Sequence, residues 1–236
     1  MSTYKIADLI VSMNTFGRTE KQAEQYAFET DLPPDLVIHS SPETLREKNP
    51  HLSMEDCEYL STGGSFYRQL SHFNGLMLHA SCVVVDGMAY LFSAPCGTGK
   101  STHVRLWLEL FGDRAFILND DKPALRVKDG EVFVYGTPWS GKEDCSRNER
   151  ARLGGIAVVK RAKENSIRTI DANSAVFAIL NQTARSISPQ AMAECMETIS
   201  QIVSTGKVYE LSCNMDISAA KLSYETMSGK RFCYED

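Results

Sequence analysis

Residues Leu91 to Thr102 read Leu-Phe-Ser-Ala-Pro-Cys-Gly-Thr-Gly-Lys-Ser-Thr, so an apolar strand end runs directly into a glycine-rich loop. This pattern predicts a phosphate-binding P-loop, in which backbone amides surround the phosphates and Gly97 and Gly99 allow close approach. Lys100 supplies a positive charge, and the Ser101 hydroxyl supplies a ligand for magnesium. The predicted nucleotide-binding residues are Cys96, Gly97, Thr98, Gly99, Lys100, Ser101 and Thr102.

One position of this loop departs from the usual pattern. Ala94 stands where the first glycine would be, and its methyl group restricts the backbone. An alternative interpretation is a glycine-rich turn that only joins a strand to a helix. The helical spacing of apolar residues from Thr102 to Phe111, which stops at Gly112, favours the P-loop because such a helix presents its N-terminus to phosphate.

The segment before the loop predicts a mixed sheet. Only Asp86-Gly87 separates the apolar run Leu76 to Val85 from Met88 to Phe92, and this dipeptide is a strong hairpin signal. The two strands should be antiparallel, since a parallel neighbour would need a crossover of about a dozen residues. A simple parallel P-loop fold is therefore excluded. We expect an α/β fold with an α+β tendency, in which a mixed, partly antiparallel sheet leads into a P-loop and a helix.

Further elements are predicted on both sides of this segment. A short helix should end within Phe66 to Phe73, a buried strand should cover Ala115 to Leu118, and a second hairpin should turn at Asp129-Gly130. Three more helices should begin near Asn173, Pro189 and Asp216. We expect residues 1–60 to form an N-terminal α/β extension packed on a P-loop core of residues 61–236.

Two adjacent carboxylates, Asp120 and Asp121, follow the strand predicted at Ala115 to Leu118. Phosphoryl transfer to an alcohol requires a carboxylate near the metal and a base beside the acceptor, and this pair can supply both. Neighbouring strand residues point to opposite sides, so one carboxylate can face the metal and the other the acceptor. We assign the metal to Ser101 and Asp121, although the residues alone do not decide which aspartate has which role. Without a P-loop nearby, the segment would be interpreted as a polar turn.

His79 lies in the apolar run that should pair with the strand entering the P-loop. From there its ring can reach the phosphate region and take part in proton transfer. The alternative is a histidine that only fills the core. The remaining histidines are assigned no role.

The loop from Gly136 to Lys142 carries Trp139 between glycines. A tryptophan in this setting either shapes a substrate site or plugs the hydrophobic core. The basic residues Arg147, Arg150 and Arg152 follow. Such a cluster either clamps an anion or forms a solvated face, and the second interpretation is favoured.

Composition limits the classes of partner. The chain has 236 residues and a net charge of −5, which argues against nucleic acid and anionic membranes as partners. The apolar stretch Ala7 to Val11 is too short for the apolar core of a signal peptide, and a cytoplasmic location is expected. Seven cysteines without a Cys-x-x-Cys pair indicate reduced thiols.

His79, the hairpin, the Gly97-to-Ser101 loop and Asp120-Asp121 together resemble the catalytic domain of HPr kinase/phosphorylase and its relatives in the phosphoenolpyruvate carboxykinase superfamily. The resemblance is carried by residues 76–127. It implies a fold like the C-terminal domain of HPr kinase. It also implies one site for ATP and magnesium in which His79, Asp120 and Asp121 are catalytic.

The implied activity is transfer of the γ-phosphoryl group to a hydroxyl, either serine of a peptide or protein or a small molecule. The glycine- and arginine-rich signature segment of HPr kinase is not recognisable in this sequence, which argues against HPr as the acceptor. The competing interpretation is a nucleotide-binding regulatory or assembly module without phosphotransfer. Neither the acceptor nor the oligomeric state follows from the sequence.

Overall fold

The computed structural model describes residues 1–141, 143–184 and 188–233. Two sheets organise these residues: a three-stranded sheet near the N-terminus and a nine-stranded sheet that carries the P-loop. The strands are β1 (Ser2–Ile6), β2 (Leu9–Met13), β3 (Leu36–Ile38), β4 (Gly75–Met77), β5 (Ala80–Val85), β6 (Met88–Ser93), β7 (Ala115–Asn119), β8 (Ala124–Lys128), β9 (Glu131–Tyr135), β10 (Arg150–Arg161), β11 (Ser166–Thr169) and β12 (Val208–Cys213). The helices are α1 (Gly17–Ala23), α2 (Pro42–Lys48), α3 (Met54–Gln69), α4 (Lys100–Phe111), α5 (Ala172–Leu180), α6 (Pro189–Ser204) and α7 (Ile217–Ser228).

The large sheet is mixed, as the sequence predicts. Its order is β4-β8-β9-β10-β6-β5-β7, and β12 pairs with β10 and β11 beside this path. The P-loop strand β6 is antiparallel to β5 and parallel to β10. The prediction of an α/β fold with a partly antiparallel sheet is therefore confirmed.

Strand alternation places a helix pair on each face of this sheet. In β6, Ala89 and Leu91 belong to the core under α5 and α6, whereas Tyr90 and Phe92 face the core formed with α4 and α7. Successive strand residues point to opposite faces, and both faces are covered by helices. This explains why the central strands read as continuous apolar runs.

Both predicted hairpins are present and rest on the same backbone geometry. Asp86 and Gly87 have φ of 50° and 77°, and Asp129 and Gly130 have φ of 53° and 77°. Two consecutive residues with positive φ form the turn whose twist matches that of paired strands, which is why an Asp-Gly pair predicts it. These turns join β5 to β6 and β8 to β9.

Three predicted elements differ from the structure. The run Leu76 to Val85 is split, because β4 pairs with β8 at one end of the sheet whereas β5 pairs with β6 and β7 near the other end. His79 therefore lies between strands instead of within one. The strand β7 is only half-buried over its first three residues, since it forms an edge of the sheet. The short helix expected to end within Phe66 to Phe73 is the end of the 16-residue helix α3.

Helix α3 also crosses the boundary expected at residue 60, and the division into an extension and a core stays a prediction. The three helices predicted near Asn173, Pro189 and Asp216 are α5, α6 and α7. None of the helices in the described ranges is long and apolar enough to cross a membrane.

Trp139 fills part of the hydrophobic core, which is the second of the two interpretations considered above. Its side chain is fully buried, its ring stacks on Phe66 with centroids 5.0 Å apart, and its indole N–H donates to the Thr62 hydroxyl at 3.1 Å. These contacts hold the loop that begins at Gly136 against helix α3. Lys142, the last residue of the predicted loop, lies outside the described residues.

Replacement of Trp139 by alanine is expected to lower the free energy of unfolding by about 3–5 kcal/mol, because it removes a buried indole and leaves a cavity. Phe177→Ala is a suitable control, since Phe177 is 63% exposed, and its effect should stay within about 0.5 kcal/mol. Denaturant unfolding of both variants measures the difference. Equal losses in the two variants would contradict the plug assignment.

Candidate active site

The P-loop adopts a conformation that requires glycine at two positions. Gly97 and Gly99 have φ of 75° and 114°, which L side chains rarely adopt. A Cβ at either position would meet nothing within 4 Å, so both glycines border open space. Gly99 is the N-cap of α4, and no side chain of the described residues caps this helix. The amides of its first turn are therefore left for a ligand, and they favour an anion.

Lys100 is held inside the loop. Its side chain is largely buried, and its ammonium donates to the Ala94 carbonyl oxygen at 2.8 Å. Burial lowers the pKa of Lys100, while Cys96, Asp121 and Asp120 act in the opposite direction. Ala94 is not among the residues with positive φ, so alanine fits where the usual motif has glycine. Its contribution to the site is the carbonyl group.

A cavity of about 680 Å³ brings the predicted site residues together. The residues from Cys96 to Thr102 form one side of this cavity. The other predicted site residues, His79, Asp120 and Asp121, come from outside the loop and also line the cavity. All the residues that the sequence assigns to the candidate site thus share one cavity.

Backbone hydrogen bonds place His79 beside Asp121. The Leu78 N–H donates to the Pro123 carbonyl at 3.2 Å, and the Ala80 N–H donates to the Asp121 carbonyl at 3.1 Å. The link between β4 and β5 thus runs beside the turn that follows β7. The His79 ring then approaches Asp121, with Nε2 3.4 Å from Oδ1.

Asp121 is enclosed by two basic side chains. One of its carboxylate oxygens faces His79, and the other accepts a hydrogen bond from the Lys122 ammonium. Burial raises the pKa of Asp121, but the hydrogen bond from His79 and the charge of Lys122 outweigh burial, and the net shift is downward. Asp121 is therefore a carboxylate over the physiological pH range.

Asp120 has a different environment. Its Oδ1 atom is buried and has no hydrogen-bond partner among the described residues. Asp120 follows β7 and is not part of it, so simple strand alternation does not govern the pair, and both carboxylates line the same cavity. A buried carboxylate oxygen without a partner is costly unless a cation or a donor satisfies it.

Magnesium fits this environment. In the described part of the chain, no group of three or more His, Cys, Asp or Glu residues could hold a metal ion by itself. Magnesium bound to a nucleotide does not need such a cage, because it uses phosphates, waters and one or two protein oxygens. The Ser101 hydroxyl and the unpartnered Asp120 oxygen are suitable protein ligands on the cavity wall.

Asn119 supplies the side-chain hydrogen bonds of the turn, so the side chains of the two aspartates are not used for them. Its side-chain oxygen accepts hydrogen bonds from the amides of Asp121 and Lys122 at 3.0 and 2.7 Å, and its amide nitrogen donates to Thr137. The polar turn considered as an alternative does exist, but Asn119 forms it. The carboxylates that follow remain directed at the cavity.

Sequence reasoning missed three residues near the site. Lys122 contacts Asp121, Gln182 contacts His79, and Arg161 donates from Nε to the Thr98 carbonyl at 3.1 Å and from a terminal nitrogen to the Gly97 carbonyl. Arg161 ends β10, which runs parallel to β6, and side chains at the carboxyl ends of parallel strands meet at one edge. That rule could have identified Arg161. The sequence carries no comparable signal for Gln182.

The cavity is also lined by residues of α4, β10 and β12, including His103 and Cys213. His103 is buried, and its Nε2 lies 3.0 Å from the Ser223 hydroxyl. Burial lowers the pKa of His103 to about 4, so the ring is neutral at physiological pH.

The arginine cluster lies on a solvated face, as the sequence analysis favours. Arg147 pairs with Glu149, Arg150 with Asp8, and Arg152 with Glu131. None of the three arginines lines the P-loop cavity.

No protein-family model and no curated protein matches the chain. Among solved structures, the chain is similar to the Hpr(Ser) kinase/phosphatase from Coxiella burnetii, with 11% sequence identity and a TM-score of 0.36. The match covers 64% of this chain and 95% of that chain. This is a distant structural similarity, and nothing about chemistry follows from it.

Cys96 provides a test of where a nucleotide binds. It is an exposed free thiol on the cavity wall, whereas Cys233 is an exposed thiol that does not line the cavity. With magnesium and ATP at ten times the dissociation constant, alkylation of Cys96 should slow about tenfold, because only the free fraction reacts. Alkylation of Cys233 should be unchanged. Equal rates at Cys96 with and without nucleotide, measured by mass spectrometry, would show that the nucleotide does not bind at this loop.

Because His103 is buried, we expect its contribution to the free energy of unfolding to depend on pH in the acid range. The unfolded chain binds a proton near the ordinary His pKa of about 6.5, whereas the folded chain resists protonation down to about 4. Stability should therefore fall as pH drops through this window, by about 1.4 kcal/mol per unit for this group. Above pH 7 the contribution is constant. His103→Gln should unfold with a shallower pH dependence between pH 6.5 and 4, and an unchanged slope would refute the assignment.

Proposed function

We propose that this chain is an ATP- and magnesium-dependent kinase that transfers the γ-phosphoryl group to a hydroxyl, on serine of a peptide or protein or on a small molecule. The observation that carries the proposal is the position of Asp121, an ionised carboxylate held by His79 and Lys122 in the same cavity as the P-loop. A module that only binds nucleotide needs the P-loop but does not need this second group.

Two sets of residues would bind the nucleotide. The amides at the start of α4 and the Lys100 ammonium neutralise phosphate charge and orient the terminal phosphoryl group. Ser101 and Asp120 would hold the metal, which would supply charge neutralisation on the phosphate oxygens. We therefore propose Asp120 in place of Asp121 as the metal ligand, since Asp121 is already paired with His79 and Lys122.

Asp121 then acts on the acceptor. The acceptor oxygen forms a bond to the γ-phosphorus as the bond from that phosphorus to the β,γ-bridging oxygen breaks. The acceptor proton passes to a carboxylate oxygen of Asp121. A carboxylate with a lowered pKa is a weak base, but the transition state is loose, so orientation of the hydroxyl matters more than early proton removal.

His79 provides a positive or hydrogen-bonding partner next to this carboxylate. Its ring also lines a second cavity of about 310 Å³, together with Met77, Lys122, Asn181, Gln182 and Thr183. The His79 and Lys122 side chains thus lie between this cavity and Asp121. We therefore place the approach of the acceptor hydroxyl in the larger cavity, which Asp121 itself lines.

The two aspartates should behave differently when each is replaced by asparagine. Asp121→Asn should lower phosphoryl transfer by two to about four orders of magnitude and leave affinity for ATP with magnesium within a fewfold of the original. Asp120→Asn should instead raise the magnesium concentration required for tight nucleotide binding. Asp129→Asn, at an exposed hairpin turn where asparagine also tolerates positive φ, is the matched control.

The measurement combines calorimetry of nucleotide binding with γ-labelled ATP and a panel of serine peptides and small hydroxylated metabolites. Labelled product from the native chain and from Asp129→Asn, but not from Asp121→Asn, supports a kinase. Tight nucleotide binding without labelled product, or undiminished transfer by Asp121→Asn, would favour a nucleotide-binding regulatory or assembly module.

A further inference from the structure

We propose that Ser81 is a positioning residue for the metal site, whose hydroxyl orients the Ser101 hydroxyl so that the Ser101 oxygen faces the cavity. The inference rests on the magnesium site of the proposed function, but it does not rest on phosphoryl transfer. Ser81 belongs to β5 and lies 20 residues before Ser101 in the sequence.

Ser81 is a hydroxyl residue in a strand that is otherwise apolar. The sequence of β5 is Ala-Ser-Cys-Val-Val-Val, and all six residues are buried, Ser81 completely. Moving a hydroxyl into an apolar interior is unfavourable unless the hydroxyl forms a hydrogen bond. A serine at this position therefore needs a polar partner inside the fold.

Strand alternation directs Ser81 toward helix α4. Val83 and Val85 of the same strand belong to the core formed with α4 and α7. Residues two apart on a strand share a face, so Ser81 lies on that face as well. Cys82 belongs instead to the core under α5 and α6, on the opposite face.

The partner of Ser81 is the first turn of α4. Its Oγ lies 3.4 Å from the Oγ of Ser101, which is the second residue of this helix. Ser101 lines the P-loop cavity, whereas Ser81 is fully buried and does not line it. Ser81 therefore acts on the site through Ser101.

Backbone pairing also places Ser81 level with the second proposed metal ligand. In the ladder between β5 and β7, Cys82 pairs with Asn119, and the strands are antiparallel. One step further, the N–H of the first residue of β5 donates to the Asp121 carbonyl at 3.1 Å. The residue between these two pairs on β5 is Ser81, and it lies opposite Asp120. Ser81 is thus next to both proposed protein ligands of the metal.

The chemistry of a hydroxyl explains what the contact with Ser101 does. A hydroxyl has one proton and two acceptor lone pairs. A hydroxyl oxygen that binds a cation directs its proton at a separate acceptor, and the Ser81 oxygen provides one for Ser101. The separation of 3.4 Å is longer than the usual value of about 2.8 Å for two hydroxyls. This hydrogen bond therefore has strength to gain when a cation polarises the Ser101 hydroxyl.

The test measures the affinity of the full chain for the β,γ-imido analogue of ATP by calorimetry, over a range of free magnesium concentrations. The readout is the magnesium midpoint, which is the concentration that gives half of the tightening by the metal. Ser81→Ala should raise this midpoint by about tenfold, because loss of a group that orients a metal ligand lowers metal affinity by about 10- to 100-fold. Affinity without magnesium should be unchanged, since the loop amides and Lys100 remain.

Cys82→Ala is the matched control. It removes one γ atom from the next residue of the same strand, which is equally buried but faces the other core, and its magnesium midpoint should equal that of the native chain. Ser81→Cys provides a second variant that keeps the side-chain volume. A thiol is a weak donor and acceptor, so this variant should show most of the increase. Circular dichroism confirms that each variant is folded.

A double variant separates positioning from general damage to the loop. If Ser81 acts through the Ser101 oxygen, Ser81→Ala should add nothing to the magnesium midpoint of Ser101→Ala. A purely structural effect would raise the midpoint by the same factor in both backgrounds.

Three results would overturn the proposal. The first is a native magnesium midpoint in both Ser81→Ala and Ser81→Cys. The second is an equal increase in Cys82→Ala, and the third is a full further increase when Ser81→Ala is added to Ser101→Ala.

Failure of the proposed function is recognised separately. If magnesium does not tighten binding of the analogue to the native chain, the metal site is wrong and both proposals fail. If magnesium tightens binding but no acceptor is labelled by ATP, the kinase assignment fails, whereas calorimetry still decides the role of Ser81.

Discussion

The candidate site depends on one short stretch of backbone pairing. Leu78 and Ala80 donate to the carbonyls of Pro123 and Asp121, and these two hydrogen bonds bring the link between β4 and β5 against the turn after β7. The distance between His79 and Asp121 in the sequence is large, and it is this pairing that closes it. The side-chain contact between them is a consequence of the backbone arrangement, because the ring follows from where residue 79 is placed.

Helices α1 and α3, in the N-terminal part of the chain, contact the same turn and the loop next to it. From α3, the Tyr67 hydroxyl donates to the Lys122 carbonyl at 2.6 Å, and the Tyr59 hydroxyl accepts the Gly141 amide at 2.9 Å. From α1, the Gln22 side chain donates to the Gly141 carbonyl at 2.9 Å. A Cβ on Gly141 would lie 3.2 Å from the Asp121 Cβ, so this loop packs tightly on the turn that carries the carboxylates. Helices α1 and α3, which do not line the P-loop cavity, thus help to determine the geometry at Asp121.

The sequence predicted what local chemistry determines. The glycines and lysine of the P-loop, the two Asp-Gly hairpins and the helices at Pro189 and Asp216 each rest on a few adjacent residues, and the structure contains them. The break at His79 could not be predicted in this way. Its neighbours are apolar and suit a strand. The break arises because the chain passes from β4, at one end of the sheet, to β5, near the other end. Gln182 could not be predicted either, because a single glutamine after a helix has no local pattern that distinguishes it.

Arg161 has a consequence for how a phosphate group would be received. This side chain binds the carbonyls of Gly97 and Thr98 from the end of β10, a strand that is itself paired with β6, β9 and β12. In a trans peptide the C=O and N–H groups point in opposite directions, so a fixed carbonyl also fixes the direction of the following amide. Glycine loops lose much conformational entropy when they are ordered by a ligand. In this chain a large part of the loop is already ordered when the sheet folds. Less conformational entropy is therefore lost when a ligand binds.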